Sequence, residues 1–263
     1  MATAKKTAPA KKTAAKPGTA VAVKKNMAVG AVVDLKERLR QQAAEMNSRV
    51  APPSGLNITL AGKKFKFPDG TSTTDPTQFV VVDFLSENKF YDRPFDKENP
   101  VPPACFAIGT DPRGLVPSDN APAKQADACS ECPNNQFGSN GKGKACANGR
   151  LLAVLPADAH EETPLWLLRV SPTGLRSFDG FVSKVASQLQ MPPVAVVVTV
   201  AFDENSDYPK LDFGAFAPNE NLEVFANRQD EARKLLETEP DVSGYEPPAP
   251  VRQAKAPAKQ ARR

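Results

Sequence analysis

Apolar positions change their period several times along the chain, and each change marks an element. From Val33 to Met46 the apolar residues Val33, Leu35, Leu39, Ala43 and Met46 recur at near-helical spacing among charges, with Asp34 in the first turn. This predicts one amphipathic helix within residues 31–50, ended by Pro52 and Pro53. Asn57-Ile58-Thr59-Leu60, Ala61-Gly62-Lys63 and Lys64-Phe65-Lys66-Phe67 then read as a hairpin, and Pro68-Asp69-Gly70 turns the chain out of it. Lys64 and Lys66 share the face opposite Phe65 and Phe67.

Phe79 to Leu85 is a continuous apolar, β-branched run, the pattern of a strand buried on both faces, and it continues into Asn88-Lys89-Phe90-Tyr91. The stretch from Asp92 to Arg150 is rich in Pro, Asn, Gly and Asp and has almost no periodicity, so something must tie it down if it is ordered. Strand patterns resume at Leu151–Leu155 and Leu165–Val170. Ser177 is placed to cap a helix whose residues Phe178, Phe181, Val182, Val185, Ala186 and Leu189 follow helical spacing, and Pro192 and Pro193 end it. Val194–Phe202 and Lys210–Ala217 read as two further strands, and a last helix is expected from about Leu222 to Leu236, within residues 221–238.

The fold expected is mainly β with flanking helices. The order of strands, one helix and a closing hairpin suits a five-stranded OB-type barrel over residues 55–220, interrupted by an insertion at about 92–150. A mixed α+β sheet is the alternative.

Charge divides the chain sharply. Net charge is +4, yet residues 1–25 hold seven lysines and no acid and residues 251–263 hold five Lys or Arg and no acid, which leaves −8 on residues 26–250. Ends built of Ala, Lys, Pro and Thr bury too little apolar surface to offset chain entropy, so residues 1–30 and 243–263 are expected to be disordered basic tails. Lysine arms are attracted to phosphate backbones; a solubilising or localising role is the bland reading. No run of about 18 apolar residues suggests a membrane span, and the N-terminus lacks the apolar stretch of a secretory signal. A cytoplasmic protein with reduced cysteines is expected.

The four cysteines, Cys105, Cys129, Cys132 and Cys146, all fall in the aperiodic stretch. In Cys129-Ser130-Glu131-Cys132-Pro133 a C-x2-C turn lets two thiolates converge on one ion, and two remote thiolates complete a closed tetrahedral site. Zn2+ suits four soft ligands, and a site with no open position is structural; an iron-sulphur cluster uses the same donors, and four unrelated thiols are the plain alternative. The lone His160, in an acidic stretch, reads as a surface residue.

Phe65-Lys66-Phe67-Pro68-Asp69-Gly70, Asn88-Lys89-Phe90-Tyr91-Asp92, Cys129 to Ser139 and Gly143-Lys144-Ala145-Cys146 together resemble phage-encoded single-stranded DNA-binding proteins with a cysteine-rich insertion. Phe178-Asp179-Gly180-Phe181-Val182 and the strand at Val194 are similar to the helix and closing hairpin of those OB-fold modules. The resemblance covers roughly residues 55–220 and implies a role in DNA replication, recombination or repair, with single-stranded DNA and replication proteins as partners and the bacterial host cytoplasm as location. Many such proteins end in an acidic tail that recruits those partners; this chain ends in Ala, Pro, Lys and Arg, so that route is not carried over.

Single strands are held by basic grooves that follow the backbone and by aromatic rings that stack on bases. The candidate contacts are Lys64, Lys66, Lys89, Phe90, Tyr91, Arg93, Lys142, Lys144, Arg150, Arg169 and Arg176. Phe65, Phe67, Phe178 and Phe181 are assigned to the core, and Trp166, between Leu165 and Leu167, reads as core with base stacking as its alternative. Two other functions compete. Asp69 with Glu87-Asn88-Lys89 imitates the carboxylate and Glu-x-Lys pattern of a metal-dependent or iron-sulphur nuclease, although Pro-Asp-Gly is also a common turn. A DNA-coating protein acting mainly through its basic tails is the other. No Walker loop, dinucleotide glycine fingerprint or Ser-His-Asp set is present, and one histidine leaves little acid-base chemistry at neutral pH, so a non-enzymatic role is expected.

Overall fold

The computed structural model describes residues 53–248, apart from 95 and 97, together with residues 35, 38, 39 and 42. Residues 1–51 group apart from the rest, and Leu35, Arg38, Leu39 and Gln42 within them are helical. The remainder of the expected helix, the N-terminal tail and the C-terminal tail from residue 249 lie outside the described residues.

The second unit is built on one curled, mixed sheet. Its strands are β1 (Pro53–Leu60), β2 (Phe65–Lys66), β3 (Ser72–Thr73), β4 (Thr77–Phe90), β5 (Cys105–Gly109), β6 (Cys146–Pro156), β7 (Trp166–Val170), β8 (Val196–Phe202) and β9 (Leu211–Pro218). Their order is β3-β2-β1-β7-β6-β4-β8-β9, with β5 also pairing with β4. All pairings are antiparallel except β1 with β7. The strand-rich expectation holds, while the number and order of strands depart from a simple five-stranded barrel.

The 14-residue β4 is the spine. It runs beside β6 along one edge, from Phe79 opposite Pro156 to Phe90 opposite Cys146. Its other edge is shared, β8 taking Thr77–Val80 and β5 taking Ser86–Phe90. Its apolar run is buried on both faces because helices cover both. Phe79 and Val81 point into a core with Leu152, Val154, Leu168 and Val198, capped by Phe178, Phe181 and Val185 of α1 (Leu175–Leu189). Val80, Val82 and Leu85 point the other way, against Phe225 of α2 (Leu222–Ala226) and Ala232 and Leu236 of α3 (Gln229–Leu236).

The β1–β2 turn is tight because Gly62 and Lys63 both have positive φ (61° and 55°), while Ala61 and Lys64 exchange both backbone hydrogen bonds at 3.2 Å. Phe65, fully buried, then packs on Phe79 and lies 4.4 Å, centroid to centroid, from Phe202, so the hairpin folds over the start of β4 and β8. Phe67 stacks on Trp166 at 5.3 Å, and Trp166 is core, as assigned from sequence.

Four local details differ from the sequence reading. Ser177 does not cap α1: Gly174 does, and the Ser177 hydroxyl donates to Asp212 and accepts from the Phe213 amide, tying the helix to β9. The last helix is two, broken around Asn227–Arg228, where Arg228 turns to bond the carbonyls of Glu161 and Thr163. The aperiodic stretch supplies β5 and the first residues of β6, Cys146 to Arg150. Residues 243–248, placed in a disordered tail by composition, are described: the Tyr245 hydroxyl donates to Asp92 at 2.6 Å, and Arg93 donates to the Glu246 carbonyl. Among the described residues no helix is long and apolar enough to cross a membrane.

Candidate functional site

Beyond Leu85 the helices no longer cover β4, yet Ser86, Glu87 and Asn88 are all buried, three of the four buried polar or charged residues described. A strand that turns polar while staying buried needs partners on both faces. Asn88 finds them among Asn148 and Cys129 on one face, and Glu87 in ion pairs on the other, while the buried Ser86 hydroxyl has no hydrogen-bond partner.

On the first face, Asn88 and Phe90 share a side of the sheet with Cys105 and Ala107 of β5 and Cys146 of β6. The insertion folds Cys129 and Cys132 onto this side. All four cysteines are buried and free, and they line one small cavity of about 10 Å³, about the room for a single water or ion, with Asn88, Gln125 and Asn135 at its wall. The C-x2-C segment is held by its own turn: the Asn135 amide donates to the Cys129 carbonyl at 2.7 Å and Gln136 donates to the Ser130 carbonyl at 2.9 Å. Among the described residues no group of three or more His, Cys, Asp or Glu is drawn up at metal-ligating geometry. The four cysteines line the same small cavity without forming such a group, and hydrogen-bond donors surround two of them.

Those donors aim at sulphur. Asn88, whose oxygen already accepts from Asn148 at 2.6 Å, offers its amide to Cys129, and the Gln125 backbone N–H faces Cys105; both favour the anionic thiolate. Burial works the other way and pushes both thiols up, while Cys146 is pushed up to about 12 by burial first and then by the three neighbouring cysteines. Burial and the neighbouring sulphurs thus favour the neutral thiol at Cys105, Cys129 and Cys146 in the metal-free chain.

On the opposite face, Glu87 and Lys89 of β4 meet Arg169 of β7 across Gly149 of β6. Glu87 is 1% exposed, receives a hydrogen bond from Arg169 Nε, and has Lys89 Nζ 2.7 Å from Oε2 in an ion pair whose angle is poor for a hydrogen bond. Burial pushes the Glu87 carboxyl up, but Arg169 and Lys89 together outweigh it and hold it below its ordinary value. Gly149 is there for space: a Cβ would stand 2.9 Å from the Val170 carbonyl and 3.6 Å from Arg169 Nη2. Tyr91 follows on the same face, 43% exposed, its hydroxyl pKa raised by burial and by Glu87 against the lowering field of Arg169.

Of the eleven candidate nucleic-acid contacts, seven are gathered at this end of the sheet. Register places Lys89 opposite Ala147, Phe90 opposite Cys146, Arg150 opposite Val170 and Arg169 opposite Leu151, and Tyr91, Lys142 and Lys144 flank the strand ends. They are not equally free. Phe90 is half-buried against the cluster of Cys105, Phe106 and Ala121; Arg150 pairs with Asp179 at 3.2 Å; Arg93 is held by Asp92 and Glu246. Lys64 and Lys66 lie on the hairpin at the other end of β4, and exposed Arg176 is on the first turn of α1. The nuclease-like residues do not meet: the Asp69 carboxylate is tied by Thr71 in the turn after β2, whereas Glu87 is neutralised near the end of β4. His160 is exposed.

Sequence reasoning missed Phe137, Asn148, Gly149 and the burial of Glu87. An asparagine or glycine in a polar stretch has no period to mark it, and only pairing across strands gives Asn148 and Gly149 their roles. Comparison of the chain with protein-family models, with curated proteins and with solved structures gives no match.

Proposed function

We propose that this protein binds single-stranded DNA through the end of its curled sheet that carries the cysteine cluster. The observation that carries the reading is the part-exposed Tyr91 ring in the field of Arg169, on the face of the sheet that also carries Lys89; Lys142 and Lys144 lie on the cysteine loop at the same end of the sheet, toward its other face. A ring flanked by cations suits a strand whose bases are unpaired, since stacking contributes about 1–3 kcal/mol per base and cations draw the backbone. A role in DNA replication, recombination or repair in a phage-infected bacterial cytoplasm, and an OB-type barrel as the parent fold, follow from the resemblance.

In this reading Cys105, Cys129, Cys132 and Cys146 hold one zinc ion, which supplies a cross-link between the insertion and the sheet. An iron-sulphur cluster on the same four thiolates is the alternative. The basic arms add long-range attraction to phosphate. The test is fluorescence anisotropy with labelled single-stranded and duplex oligonucleotides across a salt series, alongside elemental analysis. Tighter binding of single strands, weakening steeply with salt, is the expected result; equal affinity for duplex sinks the reading.

A further inference from the structure

Phe137 is the most exposed large apolar side chain described, at 83%, whereas every other described phenylalanine is buried or half-buried. Its position is fixed rather than incidental. The Gln136 side chain before it bonds the Ser130 carbonyl at 2.9 Å, and Gly138 after it, at φ +94°, donates to the Gly143 carbonyl at 2.9 Å. Ser139 closes the loop by donating to the Gln136 carbonyl at 2.7 Å and accepting from the Ala145 amide at 2.9 Å. The loop is thus ordered on both sides of a ring that buries little of its own surface, and a rigid ring loses little entropy on meeting a ligand.

Lys144 defines what that ligand is. Its ammonium lies 5.1 Å from the ring centroid, over one face, and 3.3 Å from Asn135 Oδ1, which also accepts from Asn148. Exposed Lys142 follows on the same loop. One face of the ring is occupied by a positive charge, the other is open, and the surroundings are basic. A flat, electron-rich group attached to phosphate matches this arrangement.

We propose that Phe137 is a base-stacking residue for an unpaired nucleobase, with Lys144 setting the ring and meeting the adjoining phosphate. The proposal rests on the reading of the chain as a single-strand binder and adds a second aromatic contact, on the cysteine loop, to Tyr91.

The experiment uses the full chain and a short oligothymidylate. In Phe137→Trp the new indole is exposed while Trp166 is buried, so stacking is read as quenching of the added emission on titration, absent from the parent. Phe137→Ala and Phe137→Leu lower affinity roughly 5- to 150-fold, Leu failing because it has apolar surface but no π face, while Phe137→Tyr retains binding. Unchanged melting temperature in all four variants shows the fold intact, as expected for so exposed a side chain. Unquenched emission at saturation, or undiminished affinity of Phe137→Ala, overturns the proposal and leaves single-strand binding standing. Loss on Ala substitution that Leu restores overturns it in favour of an apolar protein contact. Failure of the unaltered chain to bind the oligonucleotide overturns both readings and is seen before any substitution.

Discussion

Cys105 and Cys146 are both register partners of Phe90, one on each side of it, so the two ends of the cysteine-bearing insertion are pinned to a single position of the central strand. Everything between them closes as a loop over that point, and Cys129 and Cys132 are delivered to the same cavity by the loop itself. Two of the donors are therefore set by strand pairing and two by a turn.

This division predicts unequal consequences of losing a cysteine. Cys132→Ser should reduce bound metal from one ion per chain to none in native mass spectrometry and open the loop around residues 128–143 to protease, while the β4–β6 core stays resistant. Cys146→Ser should do the same and also lower the melting temperature further, because it sits in the sheet. A metal-free parent whose four thiols all alkylate readily would refute the site.

Glu87 gives a pH dependence with a defined sign. Its folded pKa lies below the ordinary 4.5, burial raising it and the Arg169 and Lys89 charges lowering it by more. A carboxylate with a depressed pKa contributes stability that is fully present above the unfolded value and is lost as pH falls through the folded one. Glu87→Gln should cost about 3 kcal/mol at pH 7, at the low end for a broken buried pair because Arg169 keeps contact with water. Denaturant titrations should show the gap between parent and variant closing below pH 4.5; a gap that persists at low pH refutes the ion-pair account.

Gly149→Ala places a methyl carbon 2.9 Å from a backbone carbonyl that cannot swing away and beside the Arg169 guanidinium. The strand must shift, at about 1–3 kcal/mol, and Arg169 is levered off Glu87. Thermal melts at pH 7 should show the loss, and the double variant with Glu87→Gln should lose less than the sum of the two. Strict additivity would separate Gly149 from the ion pair.

Adjacent aromatics should part company. Phe90→Ala removes a ring packed on the cluster of Cys105, Phe106 and Ala121 and should chiefly lower stability, whereas Tyr91→Ala, at an exposed position, should leave the melt alone. Tyr91→Ala should instead raise the off-rate from single strands, with a loss of about 1–3 kcal/mol and an unchanged salt slope. Stopped-flow dissociation with unlabelled competitor distinguishes them; identical behaviour would mean that the two rings do the same work.

Local pattern alone determined the elements whose reasons are local. The doubly buried run of β4, the apolar stripe of α1, the hairpin turned at Gly62–Lys63 and the C-x2-C turn all follow from spacing, since period reports which faces an element hides. Tertiary structure decided what depends on pairing between distant segments. Strand β5 is short and lies in a stretch without period, and it forms because β4 offers it an unpaired edge. The burial of Ser86-Glu87-Asn88 has no signal in the sequence and follows from the insertion and Arg169 packing over it. The division of Phe90 from Tyr91, of paired Arg150 and Arg169 from exposed Lys142, and the display of Phe137 follow from which side chains the fold brings within reach, and a distance across strands has no counterpart in the order of residues along the chain.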